Sequence, residues 1–255
     1  MNRKYLLIGV FCLIVCLCCV MAALYPKEAK DPVAESMTIS SAPQLEIPAP
    51  SPEISAPPYE SPIDFENLQA ENPDICAWLL IEDSEVSYPI LQSTEDDSFY
   101  INHDSTRQYS AAGALFTESS YNSANFSDPV TIIYGHRMNS GSFFGGLQKM
   151  YSDSDGFEKH RRITIYLPNK EQHYIVFAAI PYDNRHILYH YNFESKRMYN
   201  SFLDSVYSVR AIGANIAEDV DITTDDQLLI LSTCLMGYRS MRYLVLARLD
   251  EVVET

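Results

Sequence analysis

Residues 5 to 24 read YLLIGVFCLIVCLCCVMAAL, a run without a single charge. About 20 such residues cross a bilayer as one helix. This stretch is therefore expected to be a membrane anchor rather than part of a folded core. Arg3 and Lys4 precede it, which favours an N-terminus on the inside. A cleaved signal peptide is the competing reading, because Ala22 and Ala23 are small. The apolar run is longer than a usual signal core and favours an uncleaved anchor over residues 1–25. Whatever folds after it is expected outside the cytoplasm.

Residues 26–62 carry Pro26, Pro32, Pro43, Pro48, Pro50, Pro52, Pro57, Pro58 and Pro62, interleaved with Ser, Ala and Glu. Such a composition buries no core and tends to extended, polyproline-like geometry, so it reads as a linker that holds a domain off the membrane. From residue 63 to 255 the composition becomes globular.

Within that domain the apolar pattern predicts many short strands and few helices. Strands are expected over Ala77–Glu82 and Val86–Leu91, around a turn at Asp83–Ser84, and over Gly113–Thr117 and Val130–Tyr134. Arg162–Leu167 and His173–Ile180 alternate like a hairpin that turns at Pro168–Asn169–Lys170. Leu228–Ser232 and Tyr243–Leu249 are the last two strands. Asp64–Gln69 and Phe143–Tyr151 look helical, and Glu194–Val209 is a longer helix with Phe202, Leu203 and Val206 on one face. The pattern is mainly β, a barrel or a sandwich.

The formal charge of −16 argues against nucleic-acid binding, which needs a basic stripe to neutralise phosphates. Four of the six cysteines, Cys12, Cys16, Cys18 and Cys19, lie in the apolar run, leaving Cys76 and Cys234 in the domain. No CxxC pair or Cys/His ligand spacing exists outside the run, and no compact carboxylate cluster, so no metal site or cofactor is expected. Glu95, Asp96 and Asp97 read as a solvated helix start.

Cys234 falls at or just past the end of the strand Leu228–Leu231, where a scaffold can present a reactive group. A loop is expected next, and then Arg242 at the mouth of the following strand, so pairing of the two strands would bring Cys234 and Arg242 together. A thiol acts as its thiolate, which a cation or a histidine helps to form. Attack on an amide develops an oxyanion, for which an arginine is a donor. Arg239 is an alternative arginine, placed in the loop. Of the six histidines, His136 follows a buried-looking strand and a glycine; His103 is second. His160, His173, His186 and His190 are expected at the surface. Each residue alone has an ordinary structural reading, as packing or as an ion-pair partner, and spacing by itself does not establish the constellation.

Taken together, the strand ending in YGH at Ile132–His136, LSTC at Leu231–Cys234 and an arginine opening the last strand resemble the sortases. The resemblance runs from about Asp64 to the C-terminus. WLLIEDSEVSYPILQ and FYINHD resemble class B members, as does the Glu194–Val209 helix between the sixth and seventh strands. The resemblance implies an eight-stranded β-barrel with short peripheral helices, that longer helix, and one transmembrane helix in front.

It also implies a cysteine transpeptidase. Cys234 would attack an amide in the C-terminal sorting motif of a secreted protein and form a thioester. His136 would serve as acid and base, and Arg242 would hold substrate or oxyanion. An amine of peptidoglycan, or of its lipid-linked precursor, would resolve the thioester. Ser232, Thr233, Ile101 and Tyr182 are further candidates to line the substrate pocket. Asp97 stands where relatives carry an Asn that positions substrate. Two other readings remain open at this stage: a thiol peptidase that only hydrolyses, and a stalked surface-binding protein with no chemistry.

Overall fold

The computed structural model describes residues 59–254. The expected anchor, and the linker up to residue 58, lie outside the described residues. Among the described residues, no helix is long and apolar enough to cross a membrane.

Strand alternation sets the architecture. In β1 (Ile75–Ile81) every second residue, Ile75, Ala77, Leu79 and Ile81, is buried, the period-two signature of a strand with one face on a core. β1 turns through Asp83, which adopts φ 57°, and pairs antiparallel with β2 (Ser87–Leu91). β2 pairs parallel with the short β3 (Leu115–Phe116), which pairs with β4 (Val130–Tyr134). β4 runs parallel to β8 (Leu228–Leu235), and β8 folds back antiparallel into β9 (Tyr238–Glu254). β9 pairs with β6 (Lys170–Asp183), β6 with β5 (Arg162–Tyr166), and β5 with β1. Eight strands thus close a ring in the order β1-β2-β3-β4-β8-β9-β6-β5. A ninth, β7 (Asn215–Ile216), adds to β6 above the end of β5. Closure leaves these eight without free edges, and the expected eight-stranded barrel is what forms.

The two faces of the barrel wall bury different side chains. Leu229, Leu231, Leu235, Tyr243, Val245 and Ala247 point into the barrel with Ile133 and Leu79. Leu228, Ile230, Leu244 and Leu246 point outward with Val130 and Ile132. The outer set is covered by the longest of the described helices. Among the described residues the α-helices are α1 (Phe65–Glu71), α2 (Leu147–Tyr151), α3 (Ser154–Lys159), α4 (Ile187–His190) and α5 (Lys196–Tyr207). In α5, Tyr199, Phe202, Leu203 and Val206 are buried, a spacing of three, four and seven that lays one stripe on the sheet. α5 lies between the sixth and seventh strands of the barrel, as expected.

Several local expectations are corrected. Phe143–Tyr151 is helical only from Leu147, and the strand at Gly113–Thr117 shortens to two residues. The loop expected after Cys234 is absent: β8 runs to Leu235 and β9 starts at Tyr238, so the connection is a tight turn with Gly237 at φ 84°. Arg239 therefore sits within β9. The extension was hidden because Gly237, Arg239 and Ser240 interrupt the apolar pattern and read as a loop, although Leu235 still packs into the core. Glu95–Asp97 start no α-helix; a single 3-10 turn follows at Phe99–Ile101.

Candidate active site

Strand register assembles the site. Cys234 and Arg242 are direct partners across the β8–β9 pair, and Ser232 faces Leu244 two residues back. Directly opposed residues project from the same face of a sheet. Because Leu244 is on the outer face, Ser232, Cys234 and Arg242 are also on the outer face. On the other side of β8, Tyr134 of β4 pairs with Ser232, and the Gly135 N–H donates to the Ser232 carbonyl at 3.1 Å. His136 lies two residues beyond Tyr134, as Cys234 lies two beyond Ser232. Cys234 and Arg242 thus lie side by side on β8 and β9, and His136, two residues past the end of β4, lines the same concavity as Cys234.

Gly135 is required for this path. A Cβ there would lie 2.4 Å from Leu115 Cδ2 and 2.7 Å from Phe144 Cδ2. The backbone just before His136 can pack this closely only without a side chain.

The imidazole of His136 is oriented by backbone. Its Nε2 lies 2.8 Å from the carbonyl oxygen of Ile101, at the end of the 3-10 turn. A carbonyl only accepts, so Nε2 carries a proton and Nδ1 is left free to exchange one. Ile101 thus touches the site through its main chain, while its side chain is exposed. That carbonyl is itself positioned by Gly113: at φ +60°, a Cβ would meet it at 2.6 Å.

Two concavities lie at this end of β8. One, of about 360 Å³, is lined by His136, Arg137, Cys234, Leu235, Gly237 and Tyr238. The other is smaller, about 140 Å³, and more enclosed. It takes in Arg242, Ser232 and Tyr134 from the barrel wall, and its rim is the segment Asp183–Ile187 between β6 and α4.

Three sequence candidates lie elsewhere. The Thr233 side chain is on the inner face, opposite Tyr243, and is buried with an unpartnered Oγ1; strand alternation turns it away from the groove its neighbours line. Tyr182 is buried against Phe202, and its hydroxyl pairs with Ser205 Oγ at 2.7 Å, so it fastens the sheet to α5. Asp97 accepts from Ser119 Oγ at 3.1 Å and from the Ser120 N–H at 3.2 Å, which joins two loops and leaves it outside both concavities. Cys76 is a free thiol on β1. Burial pushes it up to about 12, which excludes it as a nucleophile near neutrality.

The sequence also concealed residues beside the site. His186, expected at the surface, is a rim residue of the smaller cavity. Its Nδ1 accepts the Tyr189 N–H at 3.1 Å and so caps α4, while its Nε2 lies 2.8 Å from Glu118 Oε2. The carboxylate and the imidazole thus form a close, largely buried pair. The Tyr134 hydroxyl shares that buried space beside Glu118. Burial raises the Glu118 carboxyl above its ordinary range although His186 is adjacent. Burial, and then the charge of Glu118, oppose ionisation of Tyr134. No local motif marks Glu118; it reaches His186 only because the chain folds them together.

A family model described as the sortase domain matches residues 79–250. Sortase B of Listeria monocytogenes is 31% identical over 172 residues, which cover 67% of this chain and 67% of that protein. Sortase B of Staphylococcus aureus is 28% identical over 190 residues, covering 74% of this chain and 75% of that one. Among solved structures, a Staphylococcus aureus sortase B–substrate complex superposes with a TM-score of 0.63 at 27% identity, covering 75% of this chain and 87% of that chain.

Proposed function

The chain belongs to the sortase family of cysteine transpeptidases, and from that premise we propose that Cys234, His136 and Arg242 transfer an acyl group from the C-terminal sorting motif of a secreted protein to an amine of peptidoglycan or its lipid-linked precursor. The observation that carries the assignment is that Cys234 pairs directly with Arg242 and shares a concavity with His136, whose imidazole is held by the Ile101 carbonyl. The domain at 63–255 holds the chemistry. Residues 26–62 space it from an anchor at 1–25, which places the site outside the cytoplasm.

In the first half-reaction the Cys234 thiolate attacks the scissile amide carbon. A C–S bond forms, the C–N bond breaks, and protonated His136 gives the Nδ1 proton to the departing amine. Arg242, opposite Cys234, is placed to donate to the oxygen that gains charge. In the second half-reaction an amine attacks the thioester carbon and neutral His136 takes its proton. A C–N bond forms and the thiolate leaves. Ser232 lines the cavity beside Arg242 and contacts the acyl part of the donor.

The test is product analysis by mass spectrometry, with the 63–255 domain, a panel of sorting-motif peptides and an added amine. An amide-linked product and a trapped thioester on Cys234 are expected. Cys234→Ala is expected to lose both, by about 10⁴-fold or more in rate, while the fold persists. Only hydrolysed peptide, with amine in excess, would favour a thiol peptidase. Undiminished turnover by Cys234→Ala would refute the assignment.

A further inference from the structure

Double displacement through one sulfur needs two half-sites that share it. One holds the acyl group through both steps; the other releases the first amine and receives the second. Proton transfer to the leaving amine and from the incoming amine occurs on the same side, where the acid–base group stands. Cys234 itself lines the larger concavity, and the smaller one is lined by its cross-strand partner Arg242 and by Ser232, two residues before it. His136 lines only the larger and more open one. An enclosed cavity suits a group held throughout, and an open one suits an exchange.

The larger concavity holds one other cation among its lining residues, Arg137. Its Nη2 donates to Asn139 Oδ1 at 3.1 Å, and no carboxylate of the described residues is within ion-pair distance of it. The chain as a whole is strongly acidic, with a formal charge of −16. A cation left unpaired in such a chain, beside the histidine, marks a place for an anion. Opposite it, at the tip of the β8–β9 turn, Tyr238 is 62% exposed and lines the same concavity. It offers a flat apolar wall, and Gly237 beside it leaves the entrance open, with nothing near the position of a Cβ.

We propose that the concavity formed by His136, Arg137, Leu235, Gly237 and Tyr238 is the half-site for the incoming amine, and that Arg137 selects acceptors that carry a carboxylate near that amine. The amine nitrogen forms the new C–N bond as the Cys234 C–S bond breaks, and its proton passes to His136. The acceptor carboxylate remains unreacted on the Arg137 guanidinium, and the acceptor backbone lies along Tyr238. The inference rests on the transpeptidase reading and adds the acceptor chemistry to it.

The experiment reads the ratio of amide product to hydrolysed product from one acyl-enzyme, which does not depend on how fast that acyl-enzyme forms. The acceptors are glycylglycine and glycylglycine amide, whose amines are alike and whose C-termini differ in charge. The parent is expected to favour glycylglycine. Arg137→Gln is expected to lower its ratio for glycylglycine about tenfold, as for loss of one charge-assisted hydrogen bond, and to leave its ratio for the amide little changed. Arg137→Lys keeps the charge and is expected to restore part of the preference. Tyr238→Ala is expected to lower both ratios together. Equal ratios for the two acceptors in the parent, or an Arg137→Gln effect that is the same for both, would overturn the carboxylate assignment. Ratios unmoved by both Arg137→Gln and Tyr238→Ala would overturn the half-site. Failure of the parent to form any acyl-enzyme would instead remove the transpeptidase reading beneath it.

Discussion

Cys234 and Arg242 are direct cross-strand partners, eight residues apart in sequence and opposed across one antiparallel pair. Only Met236 and Gly237 lie between the two strands, so the backbone positions of Cys234 and Arg242 are fixed by their pairing.

That rigidity makes the arginine hard to replace. Arg242→Lys keeps the charge but loses the planar fork of donors. The variant is expected to lose about 10²- to 10³-fold in kcat/KM, the scale of a removed oxyanion donor. Steady-state kinetics with a sorting-motif peptide checks this, and a Lys variant at parental rate would exclude a geometric role.

Gly113 is expected to act on His136 at a distance. With φ at +60° and a Cβ that would meet the Tyr100 and Ile101 carbonyl oxygens at 2.5 and 2.6 Å, Gly113→Ala must push back the carbonyl that orients the imidazole. The strain is on the order of 1–3 kcal/mol. A lower Tm and a kcat reduced more than tenfold are expected together. A lower Tm with kcat intact would show that the Ile101 contact does not set the histidine.

Thr233 separates the two faces of β8. Its Oγ1 is buried without a partner, so Thr233→Val removes an unsatisfied hydroxyl at nearly constant shape. A gain of about 1 kcal/mol in urea unfolding is expected, with turnover kept, because the side chain points into the barrel. A loss of turnover would place the hydroxyl in the reaction.

Glu118 links stability to pH. Its folded carboxyl is raised above the ordinary value by burial, so its protonated form favours the native state. That contribution is complete below the unfolded value of about 4.3 and is lost as pH rises through the folded one. Glu118→Gln, neutral throughout, is expected to melt above the parent at pH 7, and the gap should close as pH falls toward 4. A gap of constant size across that range would mean that the charge on Glu118 is not its cause.

Much of this molecule was legible without coordinates. Period-two alternation located β1 and the start of β6, short apolar runs located β2, β4 and β5, and the stripe of Phe202, Leu203 and Val206 located α5, because the solvent preference of each side chain is written locally. The pairing of Cys234 with Arg242 followed from two apolar strands close in sequence. Strand order was not local. That β4 lies parallel beside β8, and so sets His136 next to Cys234 across almost a hundred residues, depends on ring closure, to which every strand contributes. The same closure decided which side of β8 faces outward, separating Cys234 and Ser232 from Thr233. It also brought Glu118 to His186 and left Arg137 beside the sulfur. Chemistry is a property of residue type and can be read along the chain. Which groups share a cavity is a property of packing, and only the folded barrel decided it.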